Sequence, residues 1–154
     1  MVEETRCFVV ALAPTLPELI FAVDSEAQVD ALDAALAGSK ARVGVLIEAD
    51  IGMHRCGTDS PEETVALARR IAKSRAAWRG IMGYEGHAVL VPDSGKRKEL
   101  AEAAGATLRA HTLALRASGL APEIVSAGGT GTFELTGSAD FVTEIQAGSY
   151  VFMD

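Results

Sequence analysis

Cysteine is scarce in this chain of 154 residues. The two present, Cys7 and Cys56, stand too far apart for the paired spacing that holds zinc or runs disulfide exchange. They read as reduced thiols of a cytoplasmic protein. Positive charge is short as well: the net charge is −7 and the pI about 5.0, so no basic stripe is available to neutralise a nucleic-acid backbone. Long hydrophobic runs are missing. The apolar stretch Cys7 to Ala13 is too short for a membrane span or a secretion signal, and Met1-Val-Glu-Glu before it is acidic. There is no low-complexity tract, long linker or block of like charge. These absences exclude nucleic acid and membrane as partners and leave an enzyme or a small-ligand module. With 49% apolar residues, the chain has enough material for one domain with a real core.

What is present alternates between two patterns. Short β-branched or apolar runs at Leu19 to Val23, Val43 to Ile47, Trp78 to Met82, Ile124-Val125 and Phe141 to Ile145 read as strands. Between them, Val29, Leu32, Ala35 and Leu36 recur at helical spacing after the cap Asp24-Ser25, until Gly38 stops them. Asp59-Ser60-Pro61-Glu62 starts a second helix, running to about Ala76, and a long one spans about Lys96 to Ala117. In the long helix Leu100, Ala104, Leu108, His111 and Leu115 form a packing stripe, although a surface position is the default for the histidine itself. Cys7 to Ala13 is a further candidate strand, followed by a loop bracketed by Pro14 and Pro17. Strict alternation of this kind predicts an α/β fold with a parallel sheet and right-handed crossovers.

The loops after the strands carry the polar chemistry. Ser126-Ala-Gly-Gly-Thr-Gly-Thr132 follows a buried strand, and its glycines let several N–H groups aim at one point, as a phosphate requires. A short helix starting near Thr132 would add its dipole. A plain glycine turn has the same signature. A second polar cluster, Glu144-Ile-Gln-Ala-Gly-Ser-Tyr150, follows the last strand. The loops Asp50 to Gly57 and Gly83 to His87 complete four clusters at strand ends, whereas the opposite turns, Ala37 to Lys40 and Ser118 to Leu120, are plain. In a parallel sheet all four clusters fall on the carboxyl edge, where ligands bind.

Together these loops resemble the pyridoxal-phosphate barrel of the D-threonine aldolase and D-serine dehydratase group, which shares its fold with the alanine racemase N-terminal domain. The motifs are Glu48-Ala-Asp-Ile-Gly-Met-His-Arg-Cys-Gly57, Gly83-Tyr-Glu-Gly-His87, Ser126 to Thr132 and Thr143 to Asp154, in family order. Residues 19–154 match; residues 1–18 match poorly. The resemblance implies a fold-type III barrel of TIM type, of which this chain holds about five parallel strands, the fourth to the eighth, with outer helices. It implies pyridoxal 5′-phosphate as cofactor. A divalent metal, manganese or magnesium, is held by the full-length family in a C-terminal β domain, with ligands outside this chain. It further implies a D-configured 3-hydroxy amino acid as substrate, cleaved to glycine and an aldehyde. The dehydratase of the same group, and a non-catalytic module binding phosphate or pyridoxal phosphate, are the alternatives. The family's Schiff-base lysine lies on the first barrel strand, for which there is no counterpart among Lys40, Lys73, Lys96 and Lys98. The expectation is a fragment or divergent member, inactive alone, that forms a homodimer or associates with the missing barrel part.

Within that frame Gly128, Gly129, Thr130 and Gly131 are assigned to the phosphate cup, with Ser126 and Thr130 as hydroxyl donors. Tyr84 is a partner for the pyridine nitrogen or, equally, a cap on the core. Arg55 meets a substrate carboxylate or the cofactor, unless it pairs with Asp50 or Glu48. His87 is the candidate proton carrier, and His54 faces solvent. Gln146, Ser149 and Tyr150 complete the phosphate or substrate site, or else cap a helix beginning at Gly148. Asp154 is solvated.

Overall fold

The computed structural model describes residues 12, 13, 15, 16 and 18–151. Most of the candidate strand Cys7 to Ala13, both loop prolines Pro14 and Pro17, and Asp154 therefore lie outside the described residues. Five parallel strands form one sheet in the order of the chain: β1 (Ile20–Val23), β2 (Gly44–Glu48), β3 (Ala77–Met82), β4 (Ile124–Ala127) and β5 (Glu144–Ile145). In an open doubly wound sheet the order reverses at a switch point. Here it never reverses, so right-handed crossovers carry every helix to the same side and the sheet is an arc of a barrel.

Five helices fill the connections: α1 (Glu26–Leu36), α2 (Pro61–Ile71), α3 (Gly86–Val89), α4 (Ser94–Ala117) and α5 (Phe133–Gly137). Their starts are chemical. The Gln28 side chain turns back to accept from the Asp24 and Ser25 amides at 2.7 and 3.2 Å, Ser60 Oγ accepts from the Glu63 amide at 3.2 Å, and Asp93 accepts from the Lys96 amide at 2.7 Å. The three longer helices each bury one stripe against the sheet: Val29, Leu32 and Leu36 of α1, Leu67, Ala68 and Ile71 of α2, Ala104, Leu108 and Leu115 of α4. These meet Val45, Ile47, Ile81 and Val125 in one contiguous core. Arg70 to Asp30 and Arg75 to Asp33 tie α2 and the turn after it to α1.

Three expectations need correction. Helix α2 stops at Ile71, not near Ala76, because the Ser74 hydroxyl donates to the Ile71 carbonyl at 2.8 Å and accepts from the Ala76 amide at 3.1 Å, bending the chain into β3. The last strand is two residues long rather than five, since Thr143 answers β4 partly with its side chain, accepting from the Val125 amide at 2.8 Å. Phe141 is buried in the turn before it, under the Arg109 guanidinium 4.3 Å from the ring centroid. His111, assigned by default to the surface, is 1% exposed.

Candidate functional site

The carboxyl ends of the strands are stitched into one rim. After β1, Asp24 accepts from the Gly57 amide at 3.1 Å, reaching into the loop that follows β2. That loop is pinched at its base, where the Asp50 amide donates to the Thr58 carbonyl and the Thr58 amide to the Glu48 carbonyl. Within it the Asp50 carboxylate accepts from the Gly52, Met53 and His54 amides at 2.9 to 3.0 Å. Burial opposes its charge, but the His54 and Gly52 amides prevail and hold the carboxyl below its ordinary range. His54 adopts a positive φ of 52° and turns its ring to solvent while Nδ1 meets Asp50 Oδ2 at 3.0 Å. A hydrogen bond to Glu48 pushes the Cys56 thiol up, opposed by Arg55.

Beneath this loop runs a buried hydroxyl chain. Thr58 Oγ1 lies 2.6 Å from Thr64 Oγ1, which lies 2.7 Å from His111 Nδ1. Burial pulls the His111 imidazole below its usual value, against the acids Glu62 and Glu63.

The loop after β3 joins the loop after β4. The Gly83 amide donates to the Ser126 carbonyl at 3.0 Å. Tyr84 lies over the glycine loop, its ring 3.2 Å from where a Cβ on Gly129 would stand. Glu85, 1% exposed, accepts from the Gly128 amide at 3.2 Å and from the Thr132 and Thr136 hydroxyls at 2.7 Å each. His87, in α3, lies against Gly52 of the β2 loop, and its Nδ1 is buried with no partner among the described residues. The loop after β5 closes on the same place: the Gln146 amide donates to the Gly128 carbonyl at 2.9 Å and the Tyr150 amide to Thr130 Oγ1 at 3.3 Å.

The structure thus gathers Tyr84, Gly128, Gly129, Thr130, Gly131, Gln146 and Tyr150 at one place, with His87 beside the β2 loop. Two candidates are engaged locally. Ser126 is buried, its hydroxyl donating to Glu144 and accepting from Gln146 Nε2 at 3.1 Å. Arg55 is exposed and reaches Glu48 at 3.4 Å, a loose pairing. Ser149 is half-buried in a 3₁₀ turn, Ser149–Val151, and Tyr150 is exposed. Sequence reasoning named Thr132 as a hydroxyl donor of the glycine loop but missed its partners Glu85 and Thr136. The signal was an acid between a buried strand and a helix, facing two threonines at i and i+4, one turn apart at the start of α5.

The residues fit the phosphate end of a pyridoxal cofactor. Gly131 passes so close to α3 that a Cβ would stand 2.0 Å from the Val89 carbonyl oxygen, so the chain there is bare backbone. The Thr130 and Gly131 amides donate to nothing among the described residues. Lys40, Lys73, Lys96 and Lys98 are all exposed, and Lys96 and Lys98 pair with Glu99 and Glu102 along α4.

Residues 9–154 match the alanine racemase N-terminal domain. The chain belongs to that family. Among individual relatives, the family member described here is 35% identical over 133 residues to a 3-hydroxy-D-aspartate aldolase of Paracoccus denitrificans, covering 86% of this chain and 34% of the aldolase. It is 32% identical over 139 residues to a D-threo-3-hydroxyaspartate dehydratase of a Delftia species, covering 89% of this chain and 37% of the dehydratase. In three dimensions it superposes on the crystal structure of D-threonine aldolase from Filomicrobium marinum with a TM-score of 0.89 at 34% identity, over 97% of this chain and 41% of that one. This racemase-family domain therefore spans about a third of the length of the curated relatives it matches.

Proposed function

We propose that this chain forms the phosphate-binding side of a pyridoxal-phosphate site that cleaves a D-configured 3-hydroxy amino acid to glycine and an aldehyde. The observation that carries the reading is the rim: loops from β3, β4 and β5 meet at Gly128 to Gly131, and two amides there have no acceptor among the described residues. Family membership supports the cofactor, and the aldolases among the relatives support the reaction.

In this reading Thr130, Gly131 and Ser149 hold the phosphate with Tyr150 beside them, the Thr130 and Gly131 amides giving it a fixed rather than a flexible partner. Tyr84 and Gln146 flank the ring. The bound cofactor supplies an electron sink for the carbon left when the Cα–Cβ bond breaks. His87 moves the proton, its buried Nδ1 having no partner among the described residues, and Arg55 binds a carboxylate or the cofactor. The lysine that anchors the cofactor, and the divalent metal, come from outside these residues. The match to the Delftia dehydratase supports a second reading, loss of the 3-hydroxyl on the same cup.

The test is binding of pyridoxamine 5′-phosphate, which carries the phosphate and ring but no aldehyde to react with surface lysines. Saturable binding displaced by inorganic phosphate is expected. Binding indifferent to phosphate refutes the cup. Mixing with pyridoxal phosphate and reducing with borohydride should scatter label over the exposed lysines. One stoichiometric adduct protected by phosphate contradicts an external anchor.

A further inference from the structure

We infer that Glu85 is a positioning residue that sets the direction of the amides in the glycine loop, and so creates the anion preference of the cup. The inference rests on the phosphate-cup reading and goes beyond it by assigning the origin of its selectivity. Glu85 comes from the β3 loop, 43 to 51 residues before the groups it binds. A buried carboxylate is costly unless its lone pairs are filled. Here three donors fill them, all from the β4 loop and α5.

The direction of the proton in this network matters. Thr132 Oγ1 has one hydrogen, and two acceptors compete for it: Glu85 at 2.7 Å and the Gly129 carbonyl at 3.4 Å. The shorter, charge-assisted bond wins. The Thr132 lone pairs are then left for the Gly129 amide, which donates to that oxygen at 3.0 Å. Glu85 therefore takes the Gly128 amide directly and the Gly129 amide through Thr132. With both turned inward, the next two amides, Thr130 and Gly131, are the ones left without an acceptor among the described residues. Donors fixed before the ligand arrives need no reorganisation when it binds, and the affinity gain is specific to the anion.

A neutral amide at this position breaks the order. The side chain introduced by Glu85→Gln would present an NH₂ where one carboxylate oxygen now accepts, setting a donor against a donor. The experiment compares the full chain with its Glu85→Gln, Thr132→Val and Thr132→Ser variants. For each, the affinity for pyridoxamine 5′-phosphate is measured against that for pyridoxamine, with inorganic phosphate as competitor. The expected result is that Glu85→Gln and Thr132→Val lower the phosphate-to-dephospho affinity ratio about tenfold. Thr132→Ser, which keeps the relay hydroxyl, restores it.

A merely structural Glu85 would lower the melting temperature and weaken both ligands alike, leaving the ratio unchanged, and that result overturns the assignment. If the wild-type chain prefers the phosphate form and Glu85→Gln keeps the preference, the assignment fails while the cup stands. If the wild-type chain shows no preference, the cup itself fails and the assignment falls with it. Should Glu85→Gln not fold, Thr132→Val against Thr132→Ser decides the same question.

Discussion

At the scale of single residues, polar side chains that sequence patterning treats as surface or loop are what hold the rim together. His111 is the plainest case. Its imidazole sits in the core, bonded through Thr64 to Thr58 under the β2 loop. Burial lowers its proton affinity in the folded state, so below about pH 6.5 the unfolded chain binds a proton that the folded chain does not. This contribution is present in full above the unfolded pKa and declines as pH falls toward the folded one. Thermal melts across that interval should therefore show a falling melting temperature. His111→Phe should remove that part of the pH dependence while costing about 1–2 kcal/mol at neutral pH, through the partner Thr64 loses. An unchanged pH profile in the variant would mean the imidazole is charged or solvated in the native state. Gly131→Ala belongs at the same scale: a methyl 2.0 Å from the Val89 oxygen displaces the loop, and phosphate-dependent ligand binding should be lost.

At the scale of elements, the β2–β3 pairing contains a register shift, Val45 facing Trp78 and Leu46 facing Gly80. Skipping Arg79 turns its side chain to Glu123, 2.7 Å away at the entrance to β4. Gly80 follows at φ +150°, with the Ile124 carbonyl oxygen 2.0 Å from any Cβ. Gly80→Ala should destabilise the chain by about 2–4 kcal/mol, read as a lower denaturant midpoint at unchanged slope. Little change would mean the bulge relaxes freely.

Elements with strong local chemistry were legible in the sequence. Ser60-Pro61 and Asp24-Ser25 marked helix starts because capping is decided within four residues. The buried runs at β2 and β3 were equally plain. The end of α2, the brevity of β5 and the small α3 were not, because they depend on hydroxyl bonds and edge position that no periodicity encodes. The glycine loop could be read as a ligand loop, but Glu85 could not be read as its organiser. A carboxylate beside a glycine in a loop looks solvated until the threonines at α5 are brought to it by the fold.

At the scale of the whole molecule, β1 and β5 are the edges of the five-stranded arc among the described residues. Along β1 an apolar groove of about 270 Å³ runs between Phe21, Ala22 and Val23 of the strand and Ala27, Ala31 and Leu32 of α1. An edge with free backbone groups and an apolar flank favours pairing. Gel filtration should show a species larger than 16.1 kDa that shrinks on dilution, and Ala22→Lys should shift it toward the monomer. A wild-type monomer at every concentration would mean that the edge is covered within the chain.

Convergence of the strand-end loops on one anion, as proposed, is open to direct measurement. The direct measurement is an amide NMR titration of the chain with pyridoxamine 5′-phosphate. Shifts should concentrate at Thr130 and Gly131, with Tyr84 and Tyr150 following, while Gly38 and Gly119 at the opposite edge stay still. Binding that moves the opposite turns and leaves Thr130 and Gly131 unmoved would contradict it.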